Sequence, residues 1–435
     1  MMDQTNGSAG TSSHEPGLGR LVDEILEARA RAGERGYGNM SFGSTLGTGN
    51  AAFQMNDDRF RHTMVLGRTG SGKSNLVQQM EREDIRNGAG VFVLAAHADD
   101  ALYPLACLPE ERLGDAVLLD FSNPAFLPRM NPLDVDRGDQ AAVDKAVEDV
   151  LELLKDGCHN LWTGPRFEKM LRDALRLIMY SPKEEDRCLA SLTRVYLEPE
   201  YVKSILRHCT DRHVFDQWTK LVPEEMRSSD SGELTHWFVS KLSRFASDRT
   251  LAHVFGAGAS TLDMREVLDG GKVLVAYVPE ERIGAVAART ISKWLVMQLR
   301  DAIMSRGADA DCWGGLDYGA YEGGRGHEAA GGFEPFFAYV DEFARFATPD
   351  FETLLAEARK QRVGFVLSTQ TLSQTRVLNQ WTGEMAGLEE AILGNVGTMV
   401  CYPLGVRDAD LLAEQLDVES EALVSQERYQ PVARL

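Results

Sequence analysis

The sequence predicts an α/β fold: a mostly parallel central sheet interrupted by an inserted all-helical domain. Three observations predict it. Short apolar runs recur with helix-forming segments between them, as parallel strands joined by crossovers require. A Gly-rich octapeptide at residues 67–74 stands between one such run and a helical pattern. Residues 139–248 carry helical periodicity almost throughout.

The totals fit a large folded chain. Its 435 residues, 43% hydrophobic and 26% charged, suffice for one big core and a second domain. No apolar run approaches the roughly 18 residues needed to span a bilayer, and the polar N-terminal stretch shows no secretory signal. Six scattered cysteines without a Cys-x-x-Cys pair argue against a zinc site or disulfide framework and fit a reducing, cytoplasmic setting. The net charge of −20 disfavours a protein that coats nucleic acid over its outer surface, since that attraction needs clustered Lys and Arg. A ring gripping DNA only in a central channel stays open.

In chain order, residues 1–19 are rich in Ser, Gly and Thr and read as a disordered tail. Residues 20–31 have helical spacing through Leu21, Ile25 and Leu26, and Gly-rich residues 36–56 read as strands or a loop leading into the core. Met64, Val65 and Leu66 form a strand. Gly67-Arg68-Thr69-Gly70-Ser71-Gly72-Lys73-Ser74 follows, then Asn75 and a helix with Leu76, Val77 and Met80 on one face and Gly88 as its stop. This is a complete phosphate-binding loop pattern. Glycines let the backbone curl so that successive N–H groups point at a polyphosphate. The helix beginning near Lys73 adds the positive end of its dipole. Residues 67–75 are thus expected to bind the phosphates of a nucleotide, with Lys73 on the β- and γ-phosphates and the Ser74 hydroxyl on Mg2+.

Residues 91–96 and 116–121 read as the next strands, ending at His97-Ala98-Asp99-Asp100 and near Asp120. The helical insertion has one stripe at Val143, Val147, Val150, Leu151 and Leu154, and another at Phe167, Met170, Leu171, Ala174, Leu175 and Ile178. The core, residues 61–138 and 249–416, resumes with a strand at 272–278 and a helix at 285–304. Nine of the 26 residues 307–332 are glycine, far above the average of roughly 7%, so a mobile loop is expected there. Strands at 336–340, 363–368 and 398–402, a helix at 408–416 and a tail at 417–435 complete the reading.

The chemistry concentrates after the strand Phe336-Phe337-Ala338-Tyr339-Val340, where Asp341 and Glu342 emerge together. In a nucleotide-binding sheet that places them at the carboxyl edge, beside the phosphate loop. Asp341 is expected in the Mg2+ shell and Glu342 as the group that orients and polarises the attacking water. Two acids can also merely begin a solvated loop. Thr369-Gln370 closes the neighbouring strand, and Gln370 can sense the γ-phosphate or be an ordinary polar strand end. Arg359, Lys360 and Arg362 end a helix at 351–362. They complement its dipole, or one of them reaches the transition state of a neighbouring subunit.

These motifs resemble the HerA/FtsK-type motor ATPases, and within them the TraD/TraG-like coupling ATPases of conjugative type IV secretion. The resemblance rests on Arg61-His62 before the phosphate loop, Asp120-Phe121 with Asn131-Pro132-Leu133, and Asp341-Glu342. It continues through Ala358-Arg359-Lys360, Ser368-Thr369-Gln370, Gly394-Asn395-Val396-Gly397 and Asp408-Ala409. It implies a RecA-like core, a homo-hexameric ring, and ATP hydrolysis with Mg2+ that drives DNA through a central pore. By match, Arg359 looks like the arginine that completes a neighbour's site and Gln370 like the γ-phosphate sensor. The family's Asp-Pro-His-Gly-Asp stretch is here Ala95-Ala96-His97-Ala98-Asp99, keeping only His97 and Asp99. No membrane anchor or N-terminal barrel is visible, so a soluble form is expected, recruited to the inner membrane and to secretion or relaxosome proteins by a partner. Two other readings stand beside a DNA motor: a same-fold ATPase moving protein, and a nucleotide-gated adaptor with little turnover.

Overall fold

Eight strands in one sheet organise the molecule. The computed structural model describes residues 40–45, 51–55, 57–157, 165–225, 231–312, 333–345, 351–378 and 385–435. The expected tail at 1–19 and helix at 20–31 lie outside them.

A short antiparallel pair, β1 (Met40–Ser44) and β2 (Ala51–Gln54), precedes the sheet. The sheet uses β3 (Thr63–Leu66), β4 (Gly90–Ala95), β5 (Ala116–Asp120), β6 (Val273–Tyr277), β7 (Phe336–Val340), β8 (Val363–Thr369), β11 (Thr398–Cys401) and β12 (Val432–Arg434). A second small pair, β9 (Arg376–Leu378) and β10 (Met385–Gly387), stands apart. The sheet order is β12-β11-β3-β8-β7-β4-β6-β5. Every neighbouring pair is parallel except β11 with β12.

Parallel strands covered on both faces should be continuously apolar. Accordingly β3, β4, β7 and β8 are buried along their whole lengths. Alternate residues feed opposite layers. Met64, Leu66, Phe92, Leu94, Phe336 and Ala338 face one core. Val65, Val91, Val93, Phe337 and Tyr339 face the other. Helix α1 (Lys73–Asn87) packs Leu76, Val77, Met80 and Ile85 into the second core, and Gly88 ends it in the left-handed conformation at φ 91°. Helix α2 (Ala98–Ala106) covers the sheet beyond β4.

Among the described residues from 140 to 269 only helical elements occur. The two predicted stripes are buried, on α3 (Gln140–Gly157) and α4 (Pro165–Ile178). Asn131 ties this region to the sheet. Its amide donates to the Arg187 carbonyl at 2.9 Å and its side-chain oxygen accepts from the Leu133 N–H at 3.1 Å. Its own N–H reaches Ser260 Oγ at 3.1 Å, so one side chain brackets the outgoing and returning chain.

Three boundaries differ from expectation. Helix α5 (Ala285–Cys312) runs past Met304 into the Gly-rich stretch. Arg306 explains the extension: fully buried, it donates to Asp269 Oδ1 at 2.7 Å and to the Leu268 and Gln361 carbonyls at 2.6 and 3.1 Å. The loop expected at 307–332 is thus helical up to Cys312, and residues 313–332 lie outside the described part. Helix α6 (Phe351–Ala358) stops before Arg359, which opens a 3-10 turn, Arg359–Gln361. Residues 417–435 are not a tail: α7 (Val406–Leu416) is followed by α8 (Ser420–Val424) and by β12, which pairs with β11.

A buried ion pair fastens α1 to the sheet. Arg59 makes a two-pronged contact with Asp84, its Nη2 lying 2.6 Å from Oδ2, and the pair is essentially fully buried. The Tyr339 hydroxyl donates to the same carboxylate, and the Arg59 guanidinium lies 3.7 Å from the centre of the Phe337 ring.

Candidate active site

All carboxyl ends of the parallel strands open on one edge, and the expected residues other than Arg359 meet there. β8 lies between β3 and β7, with Leu66 opposite Thr369 and Val340 opposite Leu367. The phosphate loop, Gln370 and the Asp341-Glu342 pair thus leave three successive strands at one level.

The loop has the backbone its glycines permit. Gly67, Gly70 and Gly72 take φ values of 153°, 74° and 113°. A Cβ on Gly67 would stand 2.5 Å from the Tyr402 Cβ, so a side chain there has no room. Gly72 is the cap of α1, whose first residue is Lys73. Arg68, Thr69, Gly70, Ser74 and Asn75 are exposed, while Ser71 is buried under the loop. The Lys73 ammonium donates to the carbonyls of Gly67 at 2.6 Å and Arg68 at 3.2 Å. Partial burial lowers its pKa, opposed by the nearby charges of Asp341 and Glu342.

Glu342 stands in the left-handed region at φ 51°, an unfavourable place for a residue with a side chain. Its N–H donates to Asp341 Oδ1 at 2.9 Å, and Gln370 Nε2 donates to Glu342 Oε1 at 2.9 Å. The strained backbone and the amide from the next strand aim the carboxylate rather than leaving it to drift in solvent.

Sequence reasoning missed the acids behind this edge. Glu81, on α1, is buried and its pKa stands well above the ordinary value because of burial, then the charges of Asp100, Asp341 and Asp84. Asp100 is also raised, by burial and then by Asp341, and it accepts from Gln78 Nε2 at 3.2 Å. The available signal was a carboxylate on the apolar stripe of α1, one turn beyond Val77.

Arg359 lies elsewhere. It is exposed at the amino edge, where β8 begins. The length of β8 separates it from its own phosphate loop by roughly 20 Å. Lys360 bonds Glu357 at 2.8 Å. His62, at the same edge, joins α6 to β8: the Phe365 N–H donates to Nδ1 at 3.1 Å and Nε2–H donates to the Leu355 carbonyl at 2.7 Å. Burial lowers its pKa to about 4, with Arg359 adding to the effect.

The donors at the carboxyl edge fit Mg2+. The Ser74 hydroxyl and Asp341 carboxylate offer hard oxygen donors, and the described residues contain no group of three or more His, Cys, Asp or Glu side chains that would form an all-protein cage. Such a sparse oxygen set suits an ion shared with substrate phosphates.

A complete phosphate loop on β3 and a carboxylate pair two strands away, on a mostly parallel sheet, define a P-loop NTPase fold. Residues 42–100 match the family model of the helicase HerA central domain, and residues 335–427 match that of the TraM recognition site of TraD and TraG. Within that class the chain is similar to coupling proteins over these two stretches. It is 21% identical over 375 residues to the type 4 coupling protein DotL of Legionella pneumophila, covering 76% of this chain and 46% of that protein. The chain thus spans about half the length of that curated relative.

Among solved structures, VirB4 of Thermoanaerobacter pseudethanolicus superposes with a TM-score of 0.56 at 14% identity, covering 89% of this chain and 91% of that one. The plasmid coupling protein TrwB in complex with ADP and Mg2+ gives 0.54 at 14%, covering 89% and 84%. At that identity the structures establish the fold. Among the described residues no helix is long and apolar enough to cross a membrane.

Proposed function

We propose that this chain is a Mg2+-dependent ATPase motor that moves DNA, acting as the coupling ATPase of a conjugative or type IV secretion machine. The observation that carries it is the meeting of Lys73, Asp341, Glu342 and Gln370 at one sheet edge. Residues 67–75 bind the phosphates. Ser74 and Asp341 would hold Mg2+, which when bound neutralises charge on the phosphate oxygens. Lys73 leaves its loop carbonyls to meet the phosphates. Glu342 takes the developing proton of a water that it orients, and Gln370 reports the γ-phosphate to that carboxylate. Catalysis is positioning plus charge stabilisation, without a covalent intermediate.

Arg359 serves a neighbouring subunit in a homo-hexamer. Its place at the amino edge, away from its own loop, supports that role. Rings mixed from Arg359→Ala and Lys73→Ala chains should regain part of the turnover that each variant alone lacks, because some interfaces then hold an intact loop and an intact arginine. Mixed rings, verified by native mass, that stay inactive would remove Arg359 from the role. The match to a TraM recognition model supports relaxosome or secretion partners, with membrane recruitment through one of them.

The deciding experiment is ATPase activity with and without single- and double-stranded DNA, run beside a native mass measurement. Stimulation by DNA supports the motor, whose DNA would run through the ring's pore. The net charge of −20 favours a second reading, a motor of the same fold that moves protein. Robust turnover indifferent to any DNA would select it. Negligible turnover in every oligomeric state would leave a nucleotide-gated adaptor.

A further inference from the structure

The carboxyl edge has one feature that phosphate binding does not use. Tyr429 is 63% exposed, yet it lies against the phosphate loop. Its N–H donates to the Ser71 carbonyl at 3.3 Å. A Cβ built on Gly72 would fall 2.7 Å from its Cδ1 and 3.2 Å from its Cε1. Gly72 therefore lets the ring rest on the start of α1, where any side chain would push it off.

Tyr429 is also held in the left-handed region, at φ 64°. For a bulky residue that conformation is unfavourable, and it persists only where the surroundings enforce it. The enforcement is visible on both sides. Upstream, the loop bond from Tyr429 to Ser71 fixes the turn; downstream, β12 adds to β11 through Met399 with Arg434 and Cys401 with Val432. The result is an aromatic plate pinned beside the phosphate loop and left open to solvent. An exposed aromatic ring ordinarily lies free or covers apolar surface. This one is anchored at a loop whose ligand carries a flat base.

We infer that Tyr429 stacks on the nucleoside of the bound triphosphate and sets its affinity for purine nucleotides. This rests on the nucleotide reading above and adds to it the residue that recognises the base. Aromatic stacking tolerates any base and grows with the area of the ring system. Tyr402, whose ring also approaches Gly72 but is buried, backs the loop from the sheet side and is not available to a ligand.

The test compares equilibrium binding of Mg·ATP, Mg·CTP and Mg·tripolyphosphate by the full chain, its Tyr429→Ala and its Tyr429→Phe variants. Tripolyphosphate has the phosphates without the base. Tyr429→Ala should weaken ATP by about tenfold, on the scale of one stacked base, and CTP by less. It should leave tripolyphosphate unchanged, and Tyr429→Phe should bind all three like wild type. Equal weakening of ATP and tripolyphosphate would overturn the inference, because the ring would then only shape the loop. Unchanged ATP binding in Tyr429→Ala would overturn it too. A wild-type chain that bound neither ATP nor tripolyphosphate would sink the nucleotide reading itself, a result distinguishable from both.

Discussion

Glu342→Gln is expected to bind Mg·ATP much as wild type does while steady-state turnover falls by about 10³-fold, within the range one positioned general base contributes. The substitution keeps shape and volume. Gln370 Nε2 can still donate to the side-chain oxygen that accepts from it at 2.9 Å, so the geometry of the edge should survive. What disappears is the charge that polarises water. Lys73→Ala should fail differently, losing phosphate affinity as well as turnover. Fluorescent-nucleotide titration paired with phosphate release separates the two signatures. Equal turnover by Glu342→Gln and wild type would remove Glu342 from its assigned role.

The largest effect on stability is expected at Asp84. Removing one member of a buried ion pair leaves the other as an uncompensated charge, at about 3–5 kcal/mol. Asp84→Ala would strand Arg59, whose side chain is 1% exposed and lies against the Phe337 ring and beside Tyr339. Tyr339→Phe should cost less, about 1 kcal/mol for a single hydrogen bond. The double variant Arg59→Met with Asp84→Leu should recover much of the loss, since packed apolar groups of similar volume often replace such a pair. Urea unfolding of the four chains measures this. A loss below about 1 kcal/mol for Asp84→Ala would mean that the pair is not held as tightly as its burial implies.

That pair also has a bearing on the site. Asp84 sits on the helix that begins with Lys73, and Tyr339 stands two residues before Asp341. The same carboxylate therefore fixes the distance between the phosphate loop and the acids that face it.

Much of this edge was legible in the sequence because its signals are local. The octapeptide, the five-residue apolar run before Asp341-Glu342 and Gln370 after β8 each announce themselves within a few residues. Helical stripes such as Val143, Val147, Val150 and Leu154 were equally plain, since periodicity survives without a partner. Strand order was not legible. β4 pairs with β7 and β6, far away in sequence, and no local pattern encodes which buried strand lies next to which. β12 escaped because three residues, Val432–Arg434, none of them fully buried, are too short a run to show a periodicity of their own. Arg306 escaped because a polar residue at a helix end reads as solvated, and only the surrounding carbonyls make its burial tolerable. Arg359 could be singled out by position, but its distance from its own loop belongs to the folded chain.

His62 has a consequence for acid conditions. Its two ring nitrogens do opposite things, one accepting from the Phe365 N–H and one donating to the Leu355 carbonyl, and only an uncharged imidazole can do both. Its folded pKa of about 4 lies below the ordinary 6.5, so the unfolded chain takes up a proton that the folded one refuses. The rivet is therefore at full strength above neutrality and weakens as the medium is acidified from 6.5 towards 4. Souring the solution would thus loosen the link between the last turns of α6 and β8, on which the Arg359 turn is seated.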